Sequence, residues 1–287
     1  MGKCATVSGV AAVAVAAVIG QWASRTVDPW YRAVTSARAL KAVLSLSRAE
    51  VNDFTASYEL FEHDVVNNPA LESKIKSYYR VVNHLCALGE VEKMYIPPVY
   101  DLAAGVYGNQ LLFEKDMAAT MDAGAGERLL ELGCGRGRIA HHMARLTGAK
   151  VTGLNIGEDQ VANAREYASA TGMEGQLDFV LGSYNDPLPF PNNTFDGFYH
   201  VQALTYARDL DALFAELARV LKPGAKVSFL DWFQLDAYDA RNKTHASLLR
   251  KTKAIIGAVY TPTAQEYIAA LRRAGFQIEF SKEASKV

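Results

Sequence analysis

The stretch Leu129-Leu130-Glu131-Leu132-Gly133-Cys134-Gly135-Arg136-Gly137-Arg138 joins a strand-like apolar run to a helical one through three glycines. Glycines let a backbone turn sharply and come close to a ligand. Three ligands compete for such a loop. A dinucleotide calls for Gly-x-Gly-x-x-Gly, with its pyrophosphate on the helix N-terminus. Gly133 and Gly135 fit that pattern, but its third position is Arg138, and Glu131 would repel a pyrophosphate. A P-loop needs Gly-Lys-Ser/Thr after its glycines, and none follows. S-adenosylmethionine carries a sulfonium and an ammonium and no phosphate. A carboxylate at the strand end suits it, with Glu131 either anchoring the amino group or positioning the loop that does. The loop therefore reads as an S-adenosylmethionine site, with Gly133, Cys134 and Gly135 against the cofactor.

The second apolar run ends Gly153-Leu154-Asn155, about 20 residues after the loop, where nucleoside-binding sheets meet ribose hydroxyls. Asn155 can both donate and accept there. Methyl transfer from a sulfonium is an in-line displacement, in which a protein mainly aligns the nucleophile and excludes water. If the nucleophile is an alkene, aromatic faces stabilise the cation and a base removes a proton. Tyr199, His200, Tyr206 and Asp231 fall near the ends of the fourth and fifth runs and are the catalytic candidates, His200 being the most base-like. Each has an ordinary alternative: the tyrosines as packing residues, His200 touching cofactor through its backbone alone, Asp231 as a cap. Gln202 cannot act as a base. His141 and His142 are adjacent, point in different directions on a helix, and lack neighbouring Cys or acidic partners, so no metal site is expected.

These residues need a scaffold, and the pattern after Arg128 supplies one. Short runs rich in Val, Leu, Phe and Tyr (Arg128–Leu132, Lys150–Asn155, Leu177–Leu181, Phe195–Val201, Lys226–Trp232) alternate with helical stretches (Arg138–Leu146, Glu158–Thr171, Leu210–Leu221). Such alternation predicts an α/β fold: a Rossmann-like, doubly wound, mostly parallel sheet covered on both faces. Pro223-Gly224 reads as a turn into the fifth strand, Thr263–Ala274 as a helix, and Phe276–Phe280 as a sixth strand, with no obvious sequence left for a seventh. Residues 28–120 read as helical. Ser47-Arg48-Ala49-Glu50 resembles a capping box, Asn67-Asn68-Pro69 a turn, Leu71–Leu88 a helix, and Val99–Met121 one helix after the Pro97-Pro98 break. The expected division is an apolar leader over 1–25, a helical cap and substrate region over 26–121, and a cofactor-binding domain over 122–287.

With 30 basic and 31 acidic residues among 287, the chain has no basic excess to suggest nucleic acid. Cys4, Cys86 and Cys134 show no metal or disulfide spacing, which fits a reducing, intracellular setting. Ala5–Ala23 has no formal charge and is rich in Ala and Val. Met1-Gly2-Lys3-Cys4-Ala5-Thr6 also fits the loose myristoylation pattern. Membrane association through the N-terminus is thus one expectation, and an apolar helix packed on the domain or a disordered leader is the other.

Beyond these local readings, the chain resembles the class I methyltransferases, and within them the sterol 24-C-methyltransferases, over roughly Leu71 to Phe280. The stretches that carry the likeness are Arg145–Asn155, Asp178-Phe179-Val180, Pro191-Asn192-Asn193-Thr194-Phe195-Asp196, Arg219-Val220-Leu221-Lys222-Pro223-Gly224, Asp231-Trp232 and Asp236-Ala237-Tyr238-Asp239. The Asn155 amide is itself a feature of that family. The resemblance implies that Gln160 helps hold the cofactor, that Gly182, Ser183 and Tyr184 lie by the adenine, and that Tyr78-Tyr79, with Tyr79 on the cofactor side, match the paired aromatics ahead of the substrate region. It also implies C-methylation of a sterol or related isoprenoid lipid. Departures point to the alternatives of an N- or O-methyltransferase for a small molecule, or a non-catalytic cofactor-binding relative. Cys86–Val91 replaces an aromatic-glycine-tryptophan block. Val201-Gln202-Ala203 puts an amide where the family has a carboxylate, and Tyr206 replaces a histidine.

Overall fold

The computed structural model describes residues 29–61, 67–89 and 91–285. Helices α1 (Pro29–Leu44), α2 (Arg48–Ser57), α3 (Leu71–Leu88) and α4 (Gly105–Met121) precede the sheet. Then β1 (Arg128–Leu132), α5 (Arg138–Thr147), β2 (Lys150–Asn155), α6 (Glu158–Ala170) and β3 (Leu177–Leu181) follow in strict alternation. The chain continues through β4 (Phe195–Val201), α7 (Leu210–Val220), β5 (Leu221–Leu230), α8 (Lys243–Ile256) and α9 (Ala264–Arg273). The five strands run in the order β3-β2-β1-β4-β5, and every pairing is parallel. The Rossmann-like α/β reading holds, with a sheet that is wholly rather than mostly parallel among the described residues.

Parallel strands buried on both faces read as continuous apolar runs, and the residues divide between two cores by parity, except Phe195, which lies before the register shift in β4. Leu129, Val151, Phe179, Tyr199 and Val201 share one core with Met117 and Met121 of α4, Met143 of α5 and Ala164 of α6. Leu130, Leu132, Leu154, Phe195 and Phe198 share the other with Phe214 and Leu217 of α7 and Leu271 of α9. Helix α4, expected within the helical cap, thus packs directly on the sheet. A third cluster joins Leu60, Phe61, Leu71, Ile75 and Tyr78 to Tyr206 and Val259. It seats α3 against the edge of the sheet from which the functional loops emerge.

Local chemistry sets the ends. Ser47 and Glu50 close a reciprocal capping box at the start of α2, as expected, and Thr263 with Glu266 does the same at α9. The helix expected over Val99–Met121 is broken: Asp101 caps a short 3-10 turn over Leu102–Ala104, and Gly105 at φ 63° resets the chain before α4. The Asn109 carboxamide accepts from the Tyr100 and Asp101 amides (2.6 and 2.9 Å), which stabilises that break.

Two strand expectations are corrected. β5 begins at Leu221 and ends at Leu230, because Leu221 already pairs with Phe195 and the Pro223-Gly224 segment is absorbed as an irregularity inside the strand. Phe276–Phe280 forms no strand. Phe276 closes α9 through its amide to the Leu271 carbonyl (3.0 Å). Phe276 and Ile278 pack onto the second core without ladder bonds, while Phe280 is exposed. Phe276 and Ile278, two residues apart, satisfy one buried face with no partner strand.

The Ala5–Ala23 run and the Met1–Thr6 motif lie outside the described residues. Among the described residues no helix is long and apolar enough to cross a membrane.

Candidate functional site

The strand order reverses between β1 and β4, and the loops leaving β1, β2, β3 and β4 at their carboxyl ends surround one cleft. This is the place where doubly wound sheets bind ligands. The cavity there measures about 120 Å³ and is lined by Gly133–Arg136, Asn155, Gln160, Ser183–Asn185 and Gln202–Ala203. Asn155 organises its floor: the Oδ1 atom accepts from the Gly135 amide (3.2 Å), and Nδ2 donates to Gln160 Oε1 (2.8 Å). The glycine loop, the end of β2 and the first turn of α6 are thereby locked together. Gly135 takes φ 52°, and a Cβ there would come within 3.7 Å of nothing but the Gln160 amide, so its open side is the cleft. Gly137 has the opposite task. At φ 72° it opens α5, and a Cβ would strike the Phe179 ring at 2.6 Å. Close helix–sheet contact therefore falls to Gly137, one residue ahead of the dinucleotide pattern's third glycine.

Glu131 does not line the cavity. Its side chain is buried beneath the loop, accepts from the Tyr199 hydroxyl at 3.1 Å, and accepts from the Ala140 amide in the first turn of α5. That placement suits the loop-positioning half of the sequence reading. Burial pushes its carboxyl up to about 8, against the hydrogen bond from Tyr199, which favours the ionised form. Burial likewise pushes Asp231 up to about 7. A folded state that keeps a proton the unfolded chain has released loses stability as pH rises between the two pKa values. Wild-type protein is therefore expected to lose stability relative to Glu131→Gln as pH is raised from 5 to 8, by on the order of a few kcal/mol. Urea unfolding of both proteins across that range checks this, and parallel curves would contradict it.

Above the glycine loop stands an aromatic wall. Tyr79, from α3, meets Tyr206 hydroxyl to hydroxyl at 3.1 Å, and Tyr206 donates to the Gly257 carbonyl at 2.5 Å. Tyr184 donates to the Ala203 carbonyl at 2.7 Å. Ser183 donates to Glu72 at 2.9 Å, tying the end of β3 to α3. All four residues line the cleft.

Tyr199, His200 and Asp231 do not line it. Tyr199 lies under the sheet's first face beside Glu131. His200 points to the second face, stacked on Phe229 with ring centroids 5.0 Å apart. Its Nε2 lies 3.2 Å from the Tyr267 hydroxyl, and burial depresses its pKa to about 3, so it is neutral. Asp231 is 3.8 Å from His200 Nδ1 and 3.5 Å from the Tyr267 hydroxyl, in the same buried group. His141 rests on Tyr167 while His142 bonds Glu114 at 2.6 Å, so the two histidines serve different partners.

Sequence reading missed the cleft's fourth side. Residues 92–95 line it as part of a strap held from behind by buried polar contacts. Lys93 pairs with Glu114 at 2.5 Å, both nearly inaccessible. Tyr95 donates to the same carboxylate at 2.7 Å. Gln110 donates to the Lys93 and Tyr95 carbonyls (3.2 and 2.8 Å). Arg136 reaches the Val91 and Glu92 carbonyls. Only Gln110 and Glu114, polar residues spaced one helical turn apart within α4, hinted at such anchoring.

The donor set fits S-adenosylmethionine. Arg136 and Arg138, the loop's two cations, are both spent on protein acceptors, Arg138 on Glu92 at 3.0 Å and on the Arg136 carbonyl at 2.8 Å. A phosphate would meet the Glu92 carboxylate and engaged guanidinium groups, whereas a cationic, phosphate-free nucleoside meets an amide-lined floor.

Residues 130–229 match the family model described as Methyltransferase domain. The chain is 33% identical over 199 residues to Methyltransferase phqN of Penicillium fellutanum, covering 69% of this chain and 57% of that protein. It is 34% identical over 165 residues to Sterol 24-C-methyltransferase erg-4 of Neurospora crassa, covering 58% and 43%. The chain thus spans about half the length of the curated relatives it matches. Among solved structures, it superposes on the [4+2]-cyclase SpnF with TM-score 0.61 at 26% identity, covering 72% of this chain and 73% of that one. Geranyl diphosphate C-methyltransferase from Streptomyces coelicolor A3(2) shares the fold with TM-score 0.59 at 18% identity, covering 71% and 79%. Residues 130–229 thus carry a methyltransferase domain on the Rossmann-like fold of the class I methyltransferases, and the chain is related in sequence to the sterol 24-C-methyltransferases.

Proposed function

We propose that this protein transfers a methyl group from S-adenosylmethionine to carbon of a sterol or related isoprenoid lipid. The observation that carries the proposal is the cleft itself: an Asn155–Gly135–Gln160 floor for the cofactor, facing a wall of Tyr79, Tyr184 and Tyr206. The likeness to sterol 24-C-methyltransferases supports the acceptor class. In this reading Gly133, Cys134, Gly135, Asn155 and Gln160 hold the cofactor, with Ser183, Tyr184 and Tyr79 beside it. When bound, the cofactor supplies an electrophilic methyl on sulfur. Aromatic faces favour a cation, which fits methyl addition to a neutral alkene: the S–CH3 bond breaks as the C–CH3 bond forms, the positive charge passes to the adjacent carbon, and loss of a proton restores a neutral product. Tyr206 is the candidate catalytic residue that borders the cavity. Its hydroxyl is already engaged with Gly257 and Tyr79, which fixes the ring. Tyr199, His200 and Asp231 support the strands behind the cleft in this scheme, without contact to substrate.

A scaffold shared with a cyclase hosts more than one chemistry, so the test must read transfer and not binding alone. Incubation with methyl-labelled S-adenosylmethionine and either a total lipid extract or a polar metabolite extract is expected to place label in the lipid. Label in the polar fraction would support the N- or O-methylation reading instead. No label in either, with cofactor bound, would support a non-methylating relative.

A further inference from the structure

The strap over residues 91–96 has one buried edge and one exposed edge. Its buried edge is fixed by Glu114, Gln110 and Arg136. Its exposed edge is held by one side chain. Gln202 Nε2 donates to the Ile96 carbonyl at 2.8 Å, and Gln202 Oε1 accepts from the Ile96 amide at 3.1 Å. A primary amide satisfies both backbone groups of one residue at once, and a carboxylate cannot, because it has no hydrogen to donate.

The backbone under this contact is unusual. Gln202 has φ 51°, one of three non-glycine residues in the left-handed region among the described residues. That conformation is costly for an amide-bearing residue outside Asn. It is held by the Gln202 amide donating to the Leu230 carbonyl at 2.7 Å, and it aims the side chain across the mouth of the cleft. Gln202 lines the cavity beside Ala203, while Met94 and Tyr95 line it from the strap. The glycine loop is close by, since a Cβ on Gly133 would strike the Ala203 side chain at 2.5 Å.

We propose that Gln202 is a positioning residue whose amide clasps Ile96 and shuts the strap across the cofactor cleft, so that releasing this clasp opens the path for cofactor exchange. The occupant of the cleft is taken from the reading above; the clasp itself is independent of it. Of the strap's anchors, Lys93–Glu114 and Tyr95–Glu114 are buried, whereas the Gln202–Ile96 pair faces solvent. Water competes most strongly at the exposed pair, since the Arg138–Glu92 contact is half-buried, so that is where opening starts.

The informative variants are Gln202→Gly and Gln202→Glu. Glycine removes the clasp and also relieves the left-handed strain, so Gln202→Gly is expected to unfold at the same or a higher urea concentration than wild type. Glutamate keeps the acceptor, loses the donor, and sets a negative charge beside the Ile96 carbonyl. In both, amide hydrogen exchange in the peptide covering 94–100 is expected to quicken, and S-adenosylhomocysteine, followed by stopped-flow competition, to leave about tenfold faster. A stability gain together with weaker retention in Gln202→Gly is a combination that a merely structural role would not produce. Exchange at 94–100 unchanged from wild type in both variants overturns the clasp. Quickened exchange with release rates within twofold of wild type overturns its control of the cleft. Wild type that fails to bind S-adenosylhomocysteine refutes the cofactor reading, and with it the gating role, while the exchange comparison still decides the clasp.

Discussion

Titrating S-adenosylmethionine into Gly135→Arg protein should give no measurable heat under conditions where the wild type binds, a loss of at least about 100-fold in affinity. Two causes add. Gly135 sits at φ 52°, where a residue with a Cβ costs roughly 1–2 kcal/mol. More importantly, the only atom near a Cβ built there is the Gln160 amide at 3.7 Å. The added side chain therefore has room to exist, and that room is the cleft. It would displace Gln160 from Asn155 and bring a cation to the place where the cofactor's own charges go. The variant should remain folded, with a modestly lowered urea midpoint. Binding within tenfold of wild type by a folded variant would remove the glycine loop from the cofactor site. Gly137 would make a poor probe for the same purpose, because a Cβ there meets Phe179 and Ala164 within 2.9 Å and damages the fold itself.

The largest stability effect should come from Glu114→Ala, expected to cost about 3–5 kcal/mol in urea unfolding. Glu114 is fully buried and receives Lys93 at 2.5 Å, His142 at 2.6 Å and Tyr95 at 2.7 Å. Burial alone would push the Lys93 ammonium toward its neutral form, and the Glu114 charge opposes that. Removing the carboxylate strands the buried Lys93 amine, while the Tyr95 phenol keeps the Gln110 carbonyl as an acceptor at 2.9 Å. A buried ion pair costs desolvation on both sides, so deleting both partners is milder than deleting one. Lys93→Met combined with Glu114→Leu should therefore recover most of the loss. A single-variant cost under about 1 kcal/mol would show that water reaches Lys93 in solution. Since Lys93 also borders the cleft, Glu114→Ala should loosen the strap from its buried edge and raise exchange there as well.

Much of the scaffold follows from nearest-neighbour chemistry. Apolar composition and run length placed β1 to β4 at their observed bounds, because a strand buried on both faces must be apolar throughout and a turn must interrupt it. The capping box at Ser47 was visible because the donor and acceptor lie three residues apart. Failures came where a local pattern had no tertiary partner, or an unexpected one. Phe276–Ile278 alternates like a strand but packs without a ladder, and Pro223-Gly224 breaks pattern yet is carried inside β5.

For the site, the sequence by itself determined the ligand class of the loop. Glycine spacing, Arg138 at the third dinucleotide position, the missing phosphate ligands and the Glu131 carboxylate are properties of a contiguous segment, and backbone geometry over about ten residues transmits them directly. Only the tertiary structure decided which polar residues face the cleft. Tyr199 and His200 are neighbours in sequence, but a strand sends neighbours to opposite faces, and here both faces are filled by helices. The cleft lies beyond the strand ends instead, so its walls come from Tyr79, the strap at 92–95 and Gln202. Such wall contacts join residues as far apart as Tyr79 and Tyr206, 127 positions along the chain. Contacts at that separation depend on how the helices dock on the sheet, and no local spacing records them.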